Sequence, residues 1–491
     1  MTPTNHRSAS HPGDIPAVEF RQAMHRAADL IADYLAHVHE YPVVPPITPG
    51  DVRRQLPPAP PAEPETLERI LDDYRTLIEP NTTHWNHPGF MAYFAVTGSG
   101  PGIIGEALAA ALDVNAMLWR TGPAATELEE HACDWVRQML DLPAEFRGHI
   151  NDTASMSSLL ALATAREHAA GLDIRRRGMA GRADLPPLTL YCSDQAHSSI
   201  DKAAVTLGFG LENLRHIETD DEFRMRTDAL EAAIAADKRA GRRPVAVVAT
   251  LGTTSTTSVD PVREIAAIAR REDMWLHVDG AYALAAGICP EYRPLFNGVE
   301  LADSIVTNPH KWLFVPVDCS LLFVRDPVLL RRAFSIVPAY LTTTETGVTN
   351  LMDYGVQLGR RFRALKLWMV LRRFGVHGLQ ERIRNHCALA RGFADWVQRQ
   401  PGFELCAPVP FSTVCFRAVP PVSPEEQDAF NERLLAEVNS AGPVLISHTR
   451  LHGRHVLRLS VGNLRTTRAT LEQAQDLISA AYRRLSDGSA S

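Results

Sequence analysis

The chain has 491 residues and very little lysine. Of its 50 basic side chains only four are lysine, namely Lys202, Lys238, Lys311 and Lys366. Arginine cannot act as a nucleophile or form a Schiff base, so chemistry that needs a primary amine must use one of these four. Lys202, Lys238 and Lys366 lie in helical, charged surroundings, and we expect them at the surface. Lys311 is therefore the candidate amine.

Other absences exclude whole classes of protein. The seven cysteines contain no C-x-x-C pair, which argues against a zinc ribbon or a disulfide framework. No apolar run approaches the roughly 20 residues that span a bilayer. A net charge of −7 gives no sign of a nucleic-acid footprint. Residues 1–16 are polar and lack the apolar core of a signal peptide. We expect a cytoplasmic protein without membrane or nucleic-acid partners.

Residues 1–99 are predicted to form an N-terminal helical arm. An apolar stripe from Phe20 to Val38 predicts an amphipathic helix, and a second helix is predicted from Glu65 to Ile78. The proline-rich stretch between them favours an extended path. Because such helices have little to pack on locally, we expect them to pack on another subunit. Packing on their own domain is the alternative.

The rest of the chain predicts a large α/β domain over 100–374 and a small α+β domain over 375–491. In the first, short apolar runs alternate with helical patterns, which favours a mostly parallel sheet with helices on both faces. The second contains a helix, predicted strands at 444–447 and 455–461, and a final helix from Thr470 to Leu485. The predicted strands of the large domain are 188–193, 244–250, 274–279, 303–308 and 319–324.

Reactive side chains stand at the ends of these predicted strands. Asp279 ends one strand, Lys311 follows another, and His197 follows a third. Residues 153–155, Thr-Ala-Ser, open a predicted helix. Ligands of open α/β sheets bind beyond the carboxyl ends of the strands, so we expect these groups to meet there.

Pyridoxal phosphate needs these residue types. Its aldehyde carbon bonds a lysine amine, its pyridine nitrogen needs a carboxylate to stay protonated, and a flat side chain must cover its ring. Its phosphate suits a helix N-terminus, where backbone N–H groups point at an anion. Lys311, Asp279, His197 and the 153–155 turn supply one of each, and the sequence therefore predicts a pyridoxal-phosphate site.

Several motifs resemble one family closely. SDQAHSS (193–199), ATLGTT (249–254), WLHVDGAYA (275–283), NPHKW (308–312) and GRRFRALKLW (359–368) are similar to the group II pyridoxal-phosphate decarboxylases, specifically the aromatic-L-amino-acid decarboxylase family. The similarity extends from about Phe20 to the C-terminal helix. It implies a type I (aspartate-aminotransferase-like) fold and a homodimer with active sites at the dimer interface.

The resemblance also implies a role for each matching residue. These roles are the Schiff base (Lys311, with His310 beside it), the pyridine-nitrogen partner (Asp279), ring contacts (His197 stacked, Ala281, Thr254), phosphate ligands (Ala154, Ser155, Asn308) and the tyrosine of the catalytic loop (Tyr340). His197 is also implied to lie near the substrate carboxylate.

Tyr340 separates two reactions within the resemblance. Family members that make aldehydes typically carry phenylalanine there, because the carbon that loses carbon dioxide then escapes protonation and meets oxygen. Tyr340 is a phenol able to donate a proton. We therefore expect decarboxylation of an L-amino acid of the aromatic class to its amine and carbon dioxide. The alternatives are an aldehyde synthase, or decarboxylation of a polar or acidic amino acid.

The predicted substrate pocket departs from the family pattern. Tyr93 and Phe94 are followed by Ala-Val instead of Pro-Thr. In the segment that the resemblance places at the partner subunit's site, a mostly apolar stretch is replaced by 115–120, which contains Asn115, Met117 and Arg120. These residues predict a pocket more polar than one built for an aromatic ring alone.

Two interpretations of Arg120 stay open in the sequence. It pairs with a polar or acidic group of the substrate, or it forms a salt bridge at the dimer seam next to Glu127 or Glu129.

A metal site is the remaining alternative and is not expected. His84, His87 and His131 offer ligands, but the H-x-x-H spacing fits no standard motif and Pro88-Gly89 breaks a helix there.

Overall fold

The computed structural model describes residues 13–336 and 345–488. It divides into two compact units, Met1–His87 and Pro88–Ser491. The first contains helices α1 (Ala17–His37), α2 (Asp51–Gln55) and α3 (Leu67–Asp73), and α3 runs on into a π-helical turn, Tyr74–Ile78. The two predicted helices are thus confirmed. Short α2 lies in the proline-rich stretch, where none was predicted.

Helix α1 has no buried residue, although its sequence is amphipathic. Val18 is 70% exposed and Phe20 51%. Its apolar stripe therefore remains accessible, and the prediction that residues 1–99 pack on a partner subunit stays a prediction.

The second unit contains eleven strands within the described residues. They are β1 (Arg147–Asn151), β2 (Leu188–Ser193), β3 (Leu214–Ile217), β4 (Arg243–Thr250), β5 (Trp275–Asp279), β6 (Ser304–Thr307), β7 (Ser320–Val324), β8 (Phe403–Leu405), β9 (Thr413–Ala418), β10 (Ser447–Leu451) and β11 (Arg454–Ser460). The helices are α4 (Gly100–Leu112), α5 (Pro123–Met139), α6 (Ala154–His168), α7 (Ile174–Arg177), α8 (Ser199–Thr206), α9 (Thr227–Arg239), α10 (Val262–Arg271), α11 (Pro309–Trp312), α12 (Pro327–Phe334), α13 (Ala364–Arg399), α14 (Pro424–Ser440) and α15 (Arg468–Gly488). Within the described ranges, no helix is both long and apolar enough to cross a bilayer.

The first seven strands form one sheet in the order β1-β7-β6-β5-β4-β2-β3. β7 runs antiparallel to both neighbours, and every other pairing is parallel. β2, β5, β6 and β7 are buried along their whole length, as expected for a sheet covered on both faces. The mostly parallel sheet and all five predicted strands are confirmed, whereas β1 and β3 were not predicted.

The last four strands form an antiparallel sheet in the order β10-β11-β9-β8. Apolar residues of α13, α14 and α15 pack on it and form a second core. The predicted strand at 444–447 is wrong: Leu445 makes an isolated bridge to Phe90, and β10 begins at Ser447. Gly375, at φ +63°, interrupts α13 where the sequence pattern changes. The division into domains at 374/375 stays a prediction.

Candidate active site

The carboxyl ends of β5 and β6 bring two predicted site residues together. β5 ends at Asp279, and neighbouring β6 continues through Asn308 into α11, which carries Lys311. The amide of Asn308 donates to the carbonyl of Ala281 at 3.1 Å, and the amide of Lys311 donates to the carbonyl of Asn308 at 2.9 Å. These backbone bonds fix α11 against the turn that follows Asp279.

The amine of Lys311 lies in a sheltered, aromatic environment. Its Nζ is 5.4 Å from the centroid of the Phe94 ring. Removal from water lowers the pKa of Lys311; Asp279 opposes this shift and Arg458 adds to it. A lowered pKa makes the neutral, nucleophilic form of the amine more available.

Asp279 is 5% exposed, and its Oδ1 accepts a hydrogen bond from the amide of Ala281 at 3.1 Å. Thr250 at the end of β4 lies in register with it. Among the described residues, Thr250 Oγ1 and Asn308 Oδ1 are buried without a hydrogen-bond partner. Buried polar atoms are nearly always paired, so these two indicate a polar ligand beside Asp279.

His310 is buried and neutral. The amide of Cys319 donates to its Nδ1 at 2.9 Å, so the ring proton is on Nε2. Burial, together with the positive charge of Lys311, lowers the pKa of His310 to about 3. The imidazole therefore offers a neutral N–H donor beside the candidate amine.

His197 follows β2, and Ser199 fixes its ring. The Ser199 amide donates to His197 Nδ1 at 3.1 Å, and the Ser199 hydroxyl lies 2.9 Å from the same nitrogen. Partial removal from water lowers the pKa of His197; Asp279 opposes this shift and Lys311 adds to it. The neutral ring carries its proton on Nε2.

The N-terminus of α6 supplies the predicted anion site. Its first amides, from Ala154 and Ser155 onward, have no carbonyl within the helix to bond, and the helix dipole favours an anion there. Ser157 Oγ accepts from Asn151 Nδ2 at 3.1 Å and lies 2.9 Å from Ser320 Oγ, which ties the helix to β1 and β7. Thr254, in the turn after β4, is exposed.

These groups fit pyridoxal phosphate. The side-chain carboxamide of Asn308, whose Oδ1 has no hydrogen-bond partner, can turn its NH₂ toward a phosphate, because its nitrogen and oxygen exchange places on a flip. The buried Asp279 can hold the pyridine nitrogen, and Lys311 offers the amine. The arrangement can therefore hold the cofactor by its aldehyde carbon, its nitrogen and its phosphate.

Sequence reasoning predicted Phe94 as a pocket residue but missed the aromatic column behind Lys311 to which it belongs. Phe94 stacks on Tyr282 with centroids 3.8 Å apart, and Tyr282 stacks on Trp312 at 4.6 Å. Trp312 Nε1 donates to His386 Nδ1 at 2.9 Å. The guanidinium of Arg458, 5% exposed, lies 4.7 Å from the Phe94 centroid. An arginine inside the apolar run HVLRLSV is the signal that could have identified Arg458.

The expectation that Lys366 is a surface residue is wrong. Its side chain on α13 is completely buried, and its Nζ lies 2.7 Å from Glu106 Oε2 on α4. Removal from water lowers the pKa of Lys366 to about 8. Lys202 and Lys238 are not buried, as expected.

The resemblance places the segment 115–120 at the partner subunit's site, so the substrate-pocket roles of Asn115, Met117 and Arg120 stay predictions. Tyr93 is 56% exposed. Tyr340 lies outside the described residues.

Within the described residues Arg120 pairs with Glu345 at 3.0 Å and not with Glu127 or Glu129, whereas a pairing with the substrate stays a prediction. Glu127 accepts from Trp119 Nε1 at 2.9 Å, and Glu129 pairs with the buried Arg360 at 2.8 Å.

This fold, with a lysine and a carboxylate at adjacent strand ends, defines a pyridoxal-phosphate enzyme of the type I class. The model of the pyridoxal-dependent decarboxylase conserved domain matches residues 49–419. The chain belongs to this family, and it is a pyridoxal-phosphate-dependent amino-acid decarboxylase.

The individual relatives include decarboxylases and an aldehyde synthase. The chain is 42% identical to aromatic-L-amino-acid decarboxylase of Sus scrofa over 91% of this chain and 92% of that protein. It is 40% identical to tryptophan decarboxylase 2 of Oryza sativa subsp. japonica over 94% of each chain. It is 41% identical to phenylacetaldehyde synthase of Arabidopsis thaliana over 94% of this chain and 95% of the relative. The crystal structure of Oryza sativa TDC with PLP and tryptamine matches with a TM-score of 0.92 and 38% identity, over 96% of this chain and 99% of that one.

Proposed function

We propose that the enzyme decarboxylates an aromatic L-amino acid to the corresponding amine and carbon dioxide. The observation that carries this proposal is the Phe94 ring, 5.4 Å from the amine of Lys311. Tyr282 stacks on this ring and the Arg458 guanidinium lies over it, so an aromatic side chain of the substrate would meet the ring edge, an arrangement that aromatic pairs also favour. Relatives named as tryptophan and tyrosine decarboxylases support the same class.

The predicted site residues would hold the cofactor together. Lys311 would bond its aldehyde carbon, and Asp279 would hydrogen-bond its protonated pyridine nitrogen. Ala154, Ser155 and Asn308 would hold the phosphate, with the neutral His310 beside them. His197 would cover the ring, and Ala281 and Thr254 would pack near it.

Pyridoxal phosphate, when bound, draws electrons out of the bond between Cα and the carboxylate. Asp279, almost completely buried, would accept a hydrogen bond from the protonated ring nitrogen. Lys311 would yield the cofactor's aldehyde carbon to the substrate amine and would take it back when the product amine leaves. His197 presents Nε2–H toward the substrate carboxylate, and Tyr340 donates its phenolic proton to Cα after carbon dioxide has left.

The proposal includes a homodimer with shared active sites. Apolar residues of α1 are exposed, and so is an i, i+4, i+8 stripe on α4 formed by Ile104 (56%), Leu108 (49%) and Leu112 (60%). Exposed apolar stripes of this kind mark protein interfaces. A holoenzyme that sediments as a monomer at every concentration would contradict this part.

An aldehyde synthase is the second candidate, because phenylacetaldehyde synthase is a relative of similar identity. That reaction consumes one oxygen and one water per amino acid and yields aldehyde, carbon dioxide, ammonia and hydrogen peroxide. Tyr340 favours the amine. An acidic substrate is disfavoured, because Glu345 already neutralises the charge of Arg120.

The test is aerobic incubation of the holoenzyme with a panel of aromatic, acidic and small L-amino acids, with amine, aldehyde, carbon dioxide and peroxide all measured. We expect amine without peroxide from aromatic substrates, and a shift to aldehyde and peroxide in Tyr340→Phe. If the unchanged enzyme forms one peroxide for each amino acid consumed, the proposal is wrong and the enzyme is an aldehyde synthase.

The cofactor lysine is tested separately. Borohydride reduction followed by peptide mapping should tag Lys311, and a tag on Lys202, Lys238 or Lys366 would overturn the site.

A further inference from the structure

We infer that Arg120 is a positioning residue for the segment Glu345–Asp353, and that it is not a counter-ion for the substrate. This rests on the proposed function, because Tyr340 precedes Glu345 by five residues in the sequence. Because Glu345 follows Tyr340 so closely in the sequence, a contact that fixes Glu345 limits the positions that Tyr340 can reach.

The base of the segment 115–120 is firmly held. The buried pair of Arg360 and Glu129 lies beneath it, at 2.8 Å. The amide of Ala116 donates to the carbonyl of Arg360 at 2.9 Å, and the amide of Arg360 donates to Asn115 Oδ1 at 2.9 Å. A buried, hydrogen-bonded ion pair of this kind holds the backbone around it in place, because breaking the pair would leave an unpaired charge in the protein interior.

Three contacts then join 115–120 to the segment Glu345–Asp353. The amide of Met352 donates to the carbonyl of Met117 at 3.0 Å, and the amide of Trp119 donates to Asn350 Oδ1 at 3.2 Å. Leu118 and Met352 pack together, 4% and 6% exposed. Arg120 adds the outermost contact, its Nη1 lying 3.0 Å from Glu345 Oε1.

The opposite end of the segment is fixed as well. Asp353, 4% exposed, accepts from Ser335 Oγ at 2.9 Å and lies 3.5 Å from Arg331. Ser335 and Arg331 precede Tyr340 in the sequence. The buried contacts therefore hold Asn350–Asp353, and the Arg120 pair holds Glu345 at the other end of the segment.

One observation opposes a role for Arg120 as a substrate ligand, namely that its guanidinium already pairs with a carboxylate. An acidic substrate would have to displace Glu345 and leave that carboxylate without the cation.

The test compares Arg120→Met, Glu345→Gln and their double variant as holoenzymes. With an aromatic substrate we expect each to raise the ratio of aldehyde to amine by about twofold to fivefold, the range for an exposed ion pair. The double variant should match the singles, and the charge-swapped Arg120→Glu/Glu345→Arg should recover the original ratio. KM should stay within about twofold.

Arg484→Met is the matched control. Arg484 pairs with Glu437 at 3.0 Å, with side chains 62% and 34% exposed against 63% and 25% for Arg120 and Glu345. We expect no change in the ratio. A raised KM for acidic substrates in Arg120→Met, with Glu345→Gln unaffected, would instead assign Arg120 to the substrate.

Amide hydrogen exchange of the peptide 345–353 measures positioning without reference to the chemistry. It should be faster in Arg120→Met than in Arg484→Met, and equal exchange overturns the inference. If Tyr340→Phe shifts the product ratio and Arg120→Met does not, the positioning role fails while the proposed function stands. If Tyr340→Phe leaves the ratio unchanged, the proton-donor assignment fails, and exchange alone then decides the role of Arg120.

Discussion

Replacing Lys366 by methionine should stabilise the protein. Lys366 is fully buried, and its pKa of about 8 in the folded protein compares with 10.5 for a free lysine. That difference means that keeping the Lys366 ammonium charged in the folded protein costs about 3 kcal/mol at pH 7, because a tenfold change in an equilibrium constant corresponds to about 1.4 kcal/mol. Methionine fills a similar volume without a charge, and Glu106 keeps its contact with Arg361. We expect the free energy of unfolding to rise by up to about 3 kcal/mol.

The pH dependence follows from the sign of the shift. The folded pKa lies below the unfolded one, so between about pH 8 and 10.5 the unfolded chain binds more protons, and the native enzyme gains stability from Lys366 as pH rises. The advantage of Lys366→Met should therefore be constant below pH 8 and shrink to about 1 kcal/mol at pH 9.5.

The assay is urea unfolding of the holoenzymes at pH 7.0 and 9.5, at fixed protein and cofactor concentrations. Lys238→Met is the control: Lys238 pairs with Glu272 at 2.8 Å but is 57% exposed, and its loss should change stability by at most about 1 kcal/mol. A destabilised Lys366→Met at pH 7, or an advantage that does not change with pH, would refute the reasoning.

Two further substitutions test the close contact between α4 and α13 and the candidate active site. Gly105→Ala should lower stability by about 1–3 kcal/mol in the same urea assay, because its Cβ would lie 2.7 Å from the Cα of Lys366, whereas Gly392→Ala on α13 meets nothing within 4 Å and should be neutral or stabilising. Asp279→Asn should lower kcat for carbon dioxide release by about 100-fold or more, since the buried charge beside the ring nitrogen is lost; borohydride should still tag Lys311, and an unchanged kcat would remove Asp279 from the mechanism.

The strands that the sequence predicts correctly are continuous apolar runs. Residues 188–193 and 319–324 match β2 and β7 almost to the residue, because burial on both faces demands such runs. β1 (RGHIN) and β3 (LRHI) are short and carry charged or polar residues, so no apolar run marks them. In the small sheet, β10 (SHTRL) is mostly polar. The strand was predicted at 444–447 because the apolar residues lie just before β10 in the sequence.

The chemistry at strand ends was predictable because β5 and β6 are neighbours and their ends follow from their sequences. Contacts between distant segments were not. Phe94 and Tyr282 lie 188 positions apart in the sequence, and Arg120 and Glu345 are 225 apart. Lys366 was predicted at the surface because the sequence around it is charged. In the structure α4 lies so close to α13 at Gly105 that the Lys366 side chain is buried.

The aromatic column limits how this enzyme can be re-engineered. Phe94 contacts the Tyr282 ring and lies near both Lys311 and Arg458, so a smaller residue chosen to widen substrate scope would also remove packing beneath the reactive amine. Stability and selectivity are therefore coupled at that position. Tyr93, next to it and 56% exposed, carries less of the packing. A directed-evolution library that varies Tyr93 while fixing Phe94 should retain a larger fraction of folded variants.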